Sequence, residues 1–335
     1  MLVDAGLPET WPMLRARLEL LPLDDRRIDL VVITHIDHDH IGGVLPFFQE
    51  GALGLEVGEV WFNGYTQLPE HSSALSRSVA EGESLAALLT GNHDGVVYPW
   101  NSSFGNAAVM TSDQGSFVEV PAEEGPKITL LSPTSKRLAM LRAQWHDELT
   151  RFQRGESSDP PSAAALPSPL LPLEQLAVQK TTNDAAHANG SSIAFLLEHR
   201  GASCLLAADA FPNVLGAALL GLARHRGLDS IHVDLFKLPH HASKGNVTSR
   251  LVQLAPAKQY VVSTNGQHFN HPDDVALARV ITGGEPGHSL WFNYMNERTE
   301  RWGVDSLIRQ YGHHPRYPDS ADSGLQIAVT GPDAL

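Results

Sequence analysis

Three imidazoles and two carboxylates fall within six residues at His35, Asp37, His38, Asp39 and His40, followed closely by the pair Gly42-Gly43. Neutral imidazole nitrogen and carboxylate oxygen form a ligand set for zinc, manganese or iron. Five ionisable groups this close repel one another and their protons unless a cation offsets them, so the spacing itself asks for metal. The preceding segment, Ile28 to Ile33, is short and largely β-branched, as a buried strand should be. The donors therefore sit at the carboxyl end of a strand, in a loop where side chains two apart can converge on one ion.

The run from Thr34 to Gly43 resembles the T-H-x-[HD]-x-D-H-x-G-G signature of the metallo-β-lactamase superfamily, with Asp37 where most members carry a second histidine. The H-x-D-x-D-H variant is most similar to the metallohydrolase domain of the family's DNA-uptake (competence) branch. Further segments extend the resemblance in order. Met1 to Gly6 is similar to the opening strand and its D-x-G turn, and Leu130 to Pro133 to the L-x-P element. Asn189–Leu197 and Cys204–Asp209 resemble a strand pair, Asp234–Ser243 the K-x-x-H-H-G-S block, and Val261–Asn265 with His271-Pro272 the closing element. Ala208 and Ala242 stand where the pattern has glycines, which adds a methyl beside the site.

The resemblance implies an α/β fold, the four-layer αββα metallo-β-lactamase sandwich. The chain starts at the D-x-G strand, so the strand or two that usually come before it are expected to be missing. It further implies two divalent ions, zinc or manganese, about 3.5–4 Å apart and sharing an activated water. His35 and Asp37 would hold the first, Asp39 and His40 the second, and Asp209 would bridge them. His271 would complete the second, with His240 as its alternate. The third ligand of the first ion falls near Ala188 and stays open between His187, Asn189 and none. Asp39, Lys237 and His241 are the expected catalytic residues, the last two by stabilising charge on the substrate. Asp37 supplies oxygen in place of nitrogen, which shifts preference from zinc towards manganese or magnesium.

A chain of 335 residues with 42% hydrophobic content can bury a large core. One domain over 1–335 is expected, with a flexible Pro/Ser/Ala-rich insertion at 152–189 and a C-terminal extension at 276–335 packed on it. Apolar spacing predicts helices over Pro12 to Leu21, Gly43 to Gln49 and Lys136 to Arg154, and a short one from Ser84 to Thr90. Glu59 to Tyr65 reads as a strand ending in a turn, Gln259 to Ser263 as a strand, and Gly324 to Val329 as a last one. His93 and Asp94 lie in a turn cluster that reads chiefly as solvated and secondarily as an approach to the metals. His71, His146, His199 and His225 read as surface residues, and Trp291, Phe292, Tyr294 and Trp302 chiefly as core and secondarily as the lining of a pocket that could stack bases. Cys204, the single cysteine, excludes an internal disulfide and reads as a small core residue.

A net charge of −14 works against a broad nucleic-acid-binding face, although bound cations would add local positive charge. No apolar run reaches the length needed to span a bilayer, and no signal-peptide pattern opens the chain, so a soluble cytoplasmic protein is expected. The leading reading is a metal-dependent hydrolase acting on a phosphodiester, either a small molecule or a nucleic acid. The rivals are a lactone or ester hydrolase of a small substrate, and a binding or sensing module with a degraded metal site. Oligomeric state is left unassigned.

Overall fold

The structure is a computed structural model that describes residues 1–69, 77–91, 95–121, 125–153, 172–267, 270–320 and 324–330. The chain forms two compact units, each built from separated stretches of sequence. The first comprises Met1–Met110, Pro133–Ser158 and Ala186–Ile193, and the second Thr111–Ser132, Asp159–Ala185 and Ala194–Leu335.

In the first unit, β1 (Leu2–Val3), β2 (Arg27–Val32) and β3 (Glu56–Trp61) form a parallel sheet in that order. Around them lie α1 (Trp11–Glu19), α2 (His38–Ile41), α3 (Val44–Gln49), α4 (Arg77–Leu89) and α5 (Ser135–Gln153). Val31, Ile33, Ile41, Val44, Phe47, Phe62 and Trp145 share one buried cluster. β2 is therefore apolar at its carboxyl end because that end is covered, as parallel strands generally are. α4 begins seven residues before the expected Ser84. Gly82, which costs a helix about 1 kcal/mol relative to alanine, lies against the ring of Trp145, where an added Cβ would sit 3.4 Å from it.

α6 (Leu173–Ala177) belongs to the second unit, and the single turn α7 (His187–Gly190) returns to the first. The second unit's strands are β4 (Val118–Val120), β5 (Lys127–Ser132), β6 (Ala194–His199), β7 (Ala202–Leu206), β8 (Val233–Lys237), β9 (Ala257–Val262), β10 (Ser289–Phe292) and β11 (His314–Arg316). They form one sheet in the order β11-β10-β9-β8-β7-β6-β5-β4. Pairs from β4 to β7 are antiparallel and those from β7 to β11 parallel. The β6–β7 hairpin closes through Arg200 and Gly201, both at positive φ (49° and 76°), as a two-residue turn of matching twist requires.

The parallel strands are joined by α8 (Pro212–His225), α9 (Ser249–Leu254) and α10 (Asp274–Gly283). α8 starts with Pro212 in its first turn, where no donor is lost. It buries Val214, Leu215, Ala218, Leu219 and Leu222 as one stripe and ends with Arg224 and His225 near its negative pole. α11 (Glu297–Glu300) and α12 (Asp305–Tyr311) follow β10. Residues 276–335 thus supply two strands of the sheet, with Phe292 and Trp302 in its core.

The architecture is mixed α/β, consistent with the sandwich that the resemblance implies. Residues 324–330 contain no strand: the edge place is taken by His314–Arg316, and the Gln259 side chain donates to the Ala328 carbonyl. The alternate residues Leu325, Ile327 and Val329 are half-buried, yet the run joins no strand ladder. In the expected insertion, residues 172–189 carry α6, whose Leu173 and Leu176 join the second unit's core. His71, His93, Asp94 and residues 154–171 lie outside the described residues. Among the described residues no helix is long and apolar enough to cross a membrane.

Candidate metal centre

β2 delivers Thr34 and His35 to its carboxyl end, and the chain turns at once into α2 with Asp37 at its N-cap. Asp4, just past β1, has a left-handed backbone (φ 53°), a conformation that aspartate tolerates better than most residues. Its Oδ1 accepts the Thr34 amide at 2.8 Å, and its Oδ2 accepts the Thr34 hydroxyl at 2.8 Å and the His40 Nδ1–H at 2.7 Å. Burial works to raise the Asp4 carboxyl, but the His40 ring beside it outweighs this and holds it below the ordinary carboxylate range.

Thr34 has one hydroxyl proton, and the Asp4 carboxylate takes it. Towards His35 Nδ1, 3.0 Å away, the same oxygen can only accept. The proton of each ring is therefore on Nδ1, and the Nε2 of His35 and of His40 carries a lone pair. His35 Nε2 is fully buried and makes no hydrogen bond, with Asp37 Oδ2 at 3.5 Å. His40 Nε2 lies 4.0 Å from Asp39 Oδ2. The two rings offer nitrogens within 4.8 Å of each other. Imidazole nitrogens that carry a lone pair beside carboxylates are the protonation state that a divalent cation needs, so this donor set fits one. The third imidazole does not join it: His38 is turned to α4, where its Nδ1 meets Glu81 at 2.7 Å.

The loop is held by its neighbours. Gly43 donates to Gly6 O at 2.8 Å, and a Cβ on it would stand 2.3 Å from Ala5 O. Ile193, just beyond α7, donates to Thr34 O at 2.9 Å. In α7, Asn189 is buried, while His187 is half-buried, with burial and the Arg137 charge lowering its pKa.

The second unit gathers another set at the carboxyl ends of β7, β8 and β9, where parallel sheets generally place their chemistry. Asp209 is 3% exposed, and both His240 Nε2 (3.8 Å) and His241 Nε2 (3.9 Å) approach its Oδ2. His241 donates its Nδ1 proton to Ser263 O at 2.6 Å, which in the neutral ring puts the lone pair on Nε2. The His271 ring lies 5.3 Å from that of His240, with its Nδ1 3.6 Å from Asp273. Lys237, at the end of β8, donates to Leu238 O at 3.1 Å.

Burial lowers the His240 pKa, but Asp184 and Asp209 override it and raise the ring to about 9. Its proton must leave before that ring can ligate. Burial lowers His271, while for Asp273 burial is outweighed by the His271 ring and the Lys244 amide, which bring the carboxyl down to about 2. Ala208 (φ 45°) and Ala242 (φ 63°) adopt left-handed backbone. Their departure from glycine thus carries conformational strain, on the order of 1–2 kcal/mol each, besides an added methyl.

Asp184 and Asn246 are functional candidates that the sequence does not reveal. Asp184 lies in the run Thr181-Thr182-Asn183-Asp184, which reads as loop, and its partner His240 is 56 residues away. Only the lone carboxylate in an otherwise uncharged stretch hints at it.

No curated protein matches the chain. Residues 1–86, which span β1 to β3 and the whole of the first donor set, match the family model of the metallo-beta-lactamase superfamily.

Proposed function

We propose that the chain is a metal-dependent hydrolase acting on phosphodiesters of small size. The observation that carries the reading is the buried, bare Nε2 of His35 beside Asp37, with the proton of the neighbouring His40 committed to Asp4. In the first unit His35, Asp37, Asp39 and His40 would hold divalent metal, and in the second unit Asp209 with either His271 or His240 would offer further ligands. When bound, such ions lower the pKa of a coordinated water and polarise a phosphoryl or carbonyl oxygen.

The chain's own residues do the rest. Asp4 and Thr34 keep two imidazoles in the ligating tautomer. The Nε2 lone pair of a neutral His241 ring can take a proton from a reacting group, and the Lys237 ammonium can offset charge that develops on oxygen. The likeness of the H-x-D-x-D-H loop to the DNA-uptake branch supports the phosphodiester, and the net charge of −14 favours a short substrate over a long polyanion. The same acidic balance supports a lactone or ester as the second reading.

Calorimetric titration of metal-free protein with zinc and manganese should show binding. Assays with bis-p-nitrophenyl phosphate, oligonucleotides, lactones and nitrocefin should show turnover of the first. Failure to bind any divalent ion would overturn the hydrolase reading, and turnover confined to lactones would replace the substrate class.

A further inference from the structure

The second unit holds a polar cluster that meets the candidate ligands at the His240 ring and at the backbone of Asp209. His240 Nδ1 lies 3.1 Å from Asp184 Oδ2 and 3.1 Å from Asn246 Oδ1. The Asn246 amide donates to the same Asp184 oxygen at 3.0 Å and to Asp209 O at 3.2 Å, so one side chain spans the carboxylate, the ring and the backbone beside Asp209. Both acceptors face Nδ1, which directs the opposite nitrogen, Nε2, to Asp209.

The arm that carries Asp184 is fixed by an unusual residue. Arg279 on α10 is 6% exposed and no carboxylate pairs with it in the bonds described. All five of its donors are used: Nε on Ala177 O, Nη1 on Lys244 O and Val247 O, Nη2 on Gln179 O and the Thr181 hydroxyl. One guanidinium thus fastens residues 177–181 to the 244–247 turn. Gly245 allows the close approach, since a Cβ there would meet Asp184 N and Thr182 O at 3.2 Å each. A buried charge costs stability unless it is fully bonded. Here it is spent on joining two loops whose ends converge on a single imidazole.

We propose that Asp184 and Asn246 are positioning residues that lock the His240 ring with Nε2 towards Asp209, and that Arg279 is the strap that holds them in register. A carboxylate or amide behind a ligating histidine fixes its tautomer and strengthens it as a ligand, and loss of such support typically weakens metal affinity about 10- to 100-fold. The consequence for affinity rests on the metal-hydrolase reading. The ring orientation does not.

The experiment is long-range proton–nitrogen NMR of histidine-labelled, metal-free protein, with the His240 signals identified by their absence in His240→Gln. Spectra are recorded above the pKa of about 9 to which Asp184 and Asp209 raise this ring against burial, so that it is neutral. Wild type should show His240 protonated on Nδ1. Asp184→Ala/Asn246→Ala should populate the Nε2-protonated form and weaken zinc binding about 10- to 100-fold. Asp184→Asn, which keeps an oxygen acceptor, should retain the wild-type tautomer.

A His240 signal unchanged in the double variant overturns the proposal. Should that variant fail to fold, Arg279→Lys decides instead: loss of the single Nδ1-protonated signal supports the strap, and an unchanged ring overturns it. If zinc binds to none of the proteins, the hydrolase reading fails while the ring signals still decide this inference.

Discussion

Thr34 shows how much one hydroxyl can settle. With its proton on Asp4, it can only accept from His35, and that fixes the ligating nitrogen of a fully buried ring. Thr34→Val keeps the shape and removes both bonds, so zinc affinity should fall roughly tenfold with little change in folding, as calorimetric titration and a thermal melt would show. Asp39→Ala should abolish hydrolysis and reduce bound metal while the fold persists, because a loop ligand serves the ion more than the core. Full turnover and full metal content in that variant would discredit the donor set. At this scale the sequence was legible where donors were packed into six residues. It was silent on Asp184, Asn246 and Arg279, because their meaning lies in partners that a polar loop's composition does not encode.

At the scale of elements, the Gly42-Gly43 pair explains a limit of reading by type. Glycine suggests a tight turn, yet Gly43 is needed because the Ala5 backbone leaves no room for a Cβ. Gly43→Ala should therefore destabilise the protein by about 1–3 kcal/mol, seen as a lower urea midpoint, and should disturb the metal loop with it. The two alanines at positive φ argue the opposite sign: Ala208→Gly and Ala242→Gly should each relieve strain and stabilise by about 1 kcal/mol. Unchanged or lower midpoints would show that the methyls pack usefully. Some helices were legible from their apolar spacing, as α1, α3 and α5 illustrate, whereas α8 and α10 were not picked out. Gly324 to Val329 was misread as a strand, since periodicity reports a half-buried face and says nothing of whether the backbone pairs.

For the whole molecule, charge and buried titrating groups set the behaviour. His288 and His313 lie in the second unit at 3% and 0% exposure, each with one ring proton donated to a backbone carbonyl. Burial lowers both below the ordinary 6.5, so the native state binds fewer protons than the unfolded chain as pH falls. Their contribution to stability is complete above 6.5 and is lost on acidification, by up to about 1.4 kcal/mol per ring for each pH unit. Urea unfolding at neutral and at mildly acidic pH should show this loss, and a His288→Gln/His313→Gln variant should show less of it. The charge of −14 predicts that metal-free protein leaves a labelled oligonucleotide unbound at physiological salt in fluorescence anisotropy. Fold class was legible from strand and helix spacing together with motif order. The division into two units was not, because it depends on which distant segments pack together.

That division also bears on biosynthesis. The segment matching the superfamily ends at residue 86, yet the first unit takes its last piece from Ala186–Ile193, and Ile193 bonds to the backbone of Thr34 inside the metal loop. A nascent chain halted at residue 110 would have made every donor of the first set and still lack α5, α7 and that closing bond. On the ribosome the loop waits for about eighty further residues before that bond can form, so the proposed metal affinity would arrive late in synthesis, after β4, β5 and α6 of the other unit have been made.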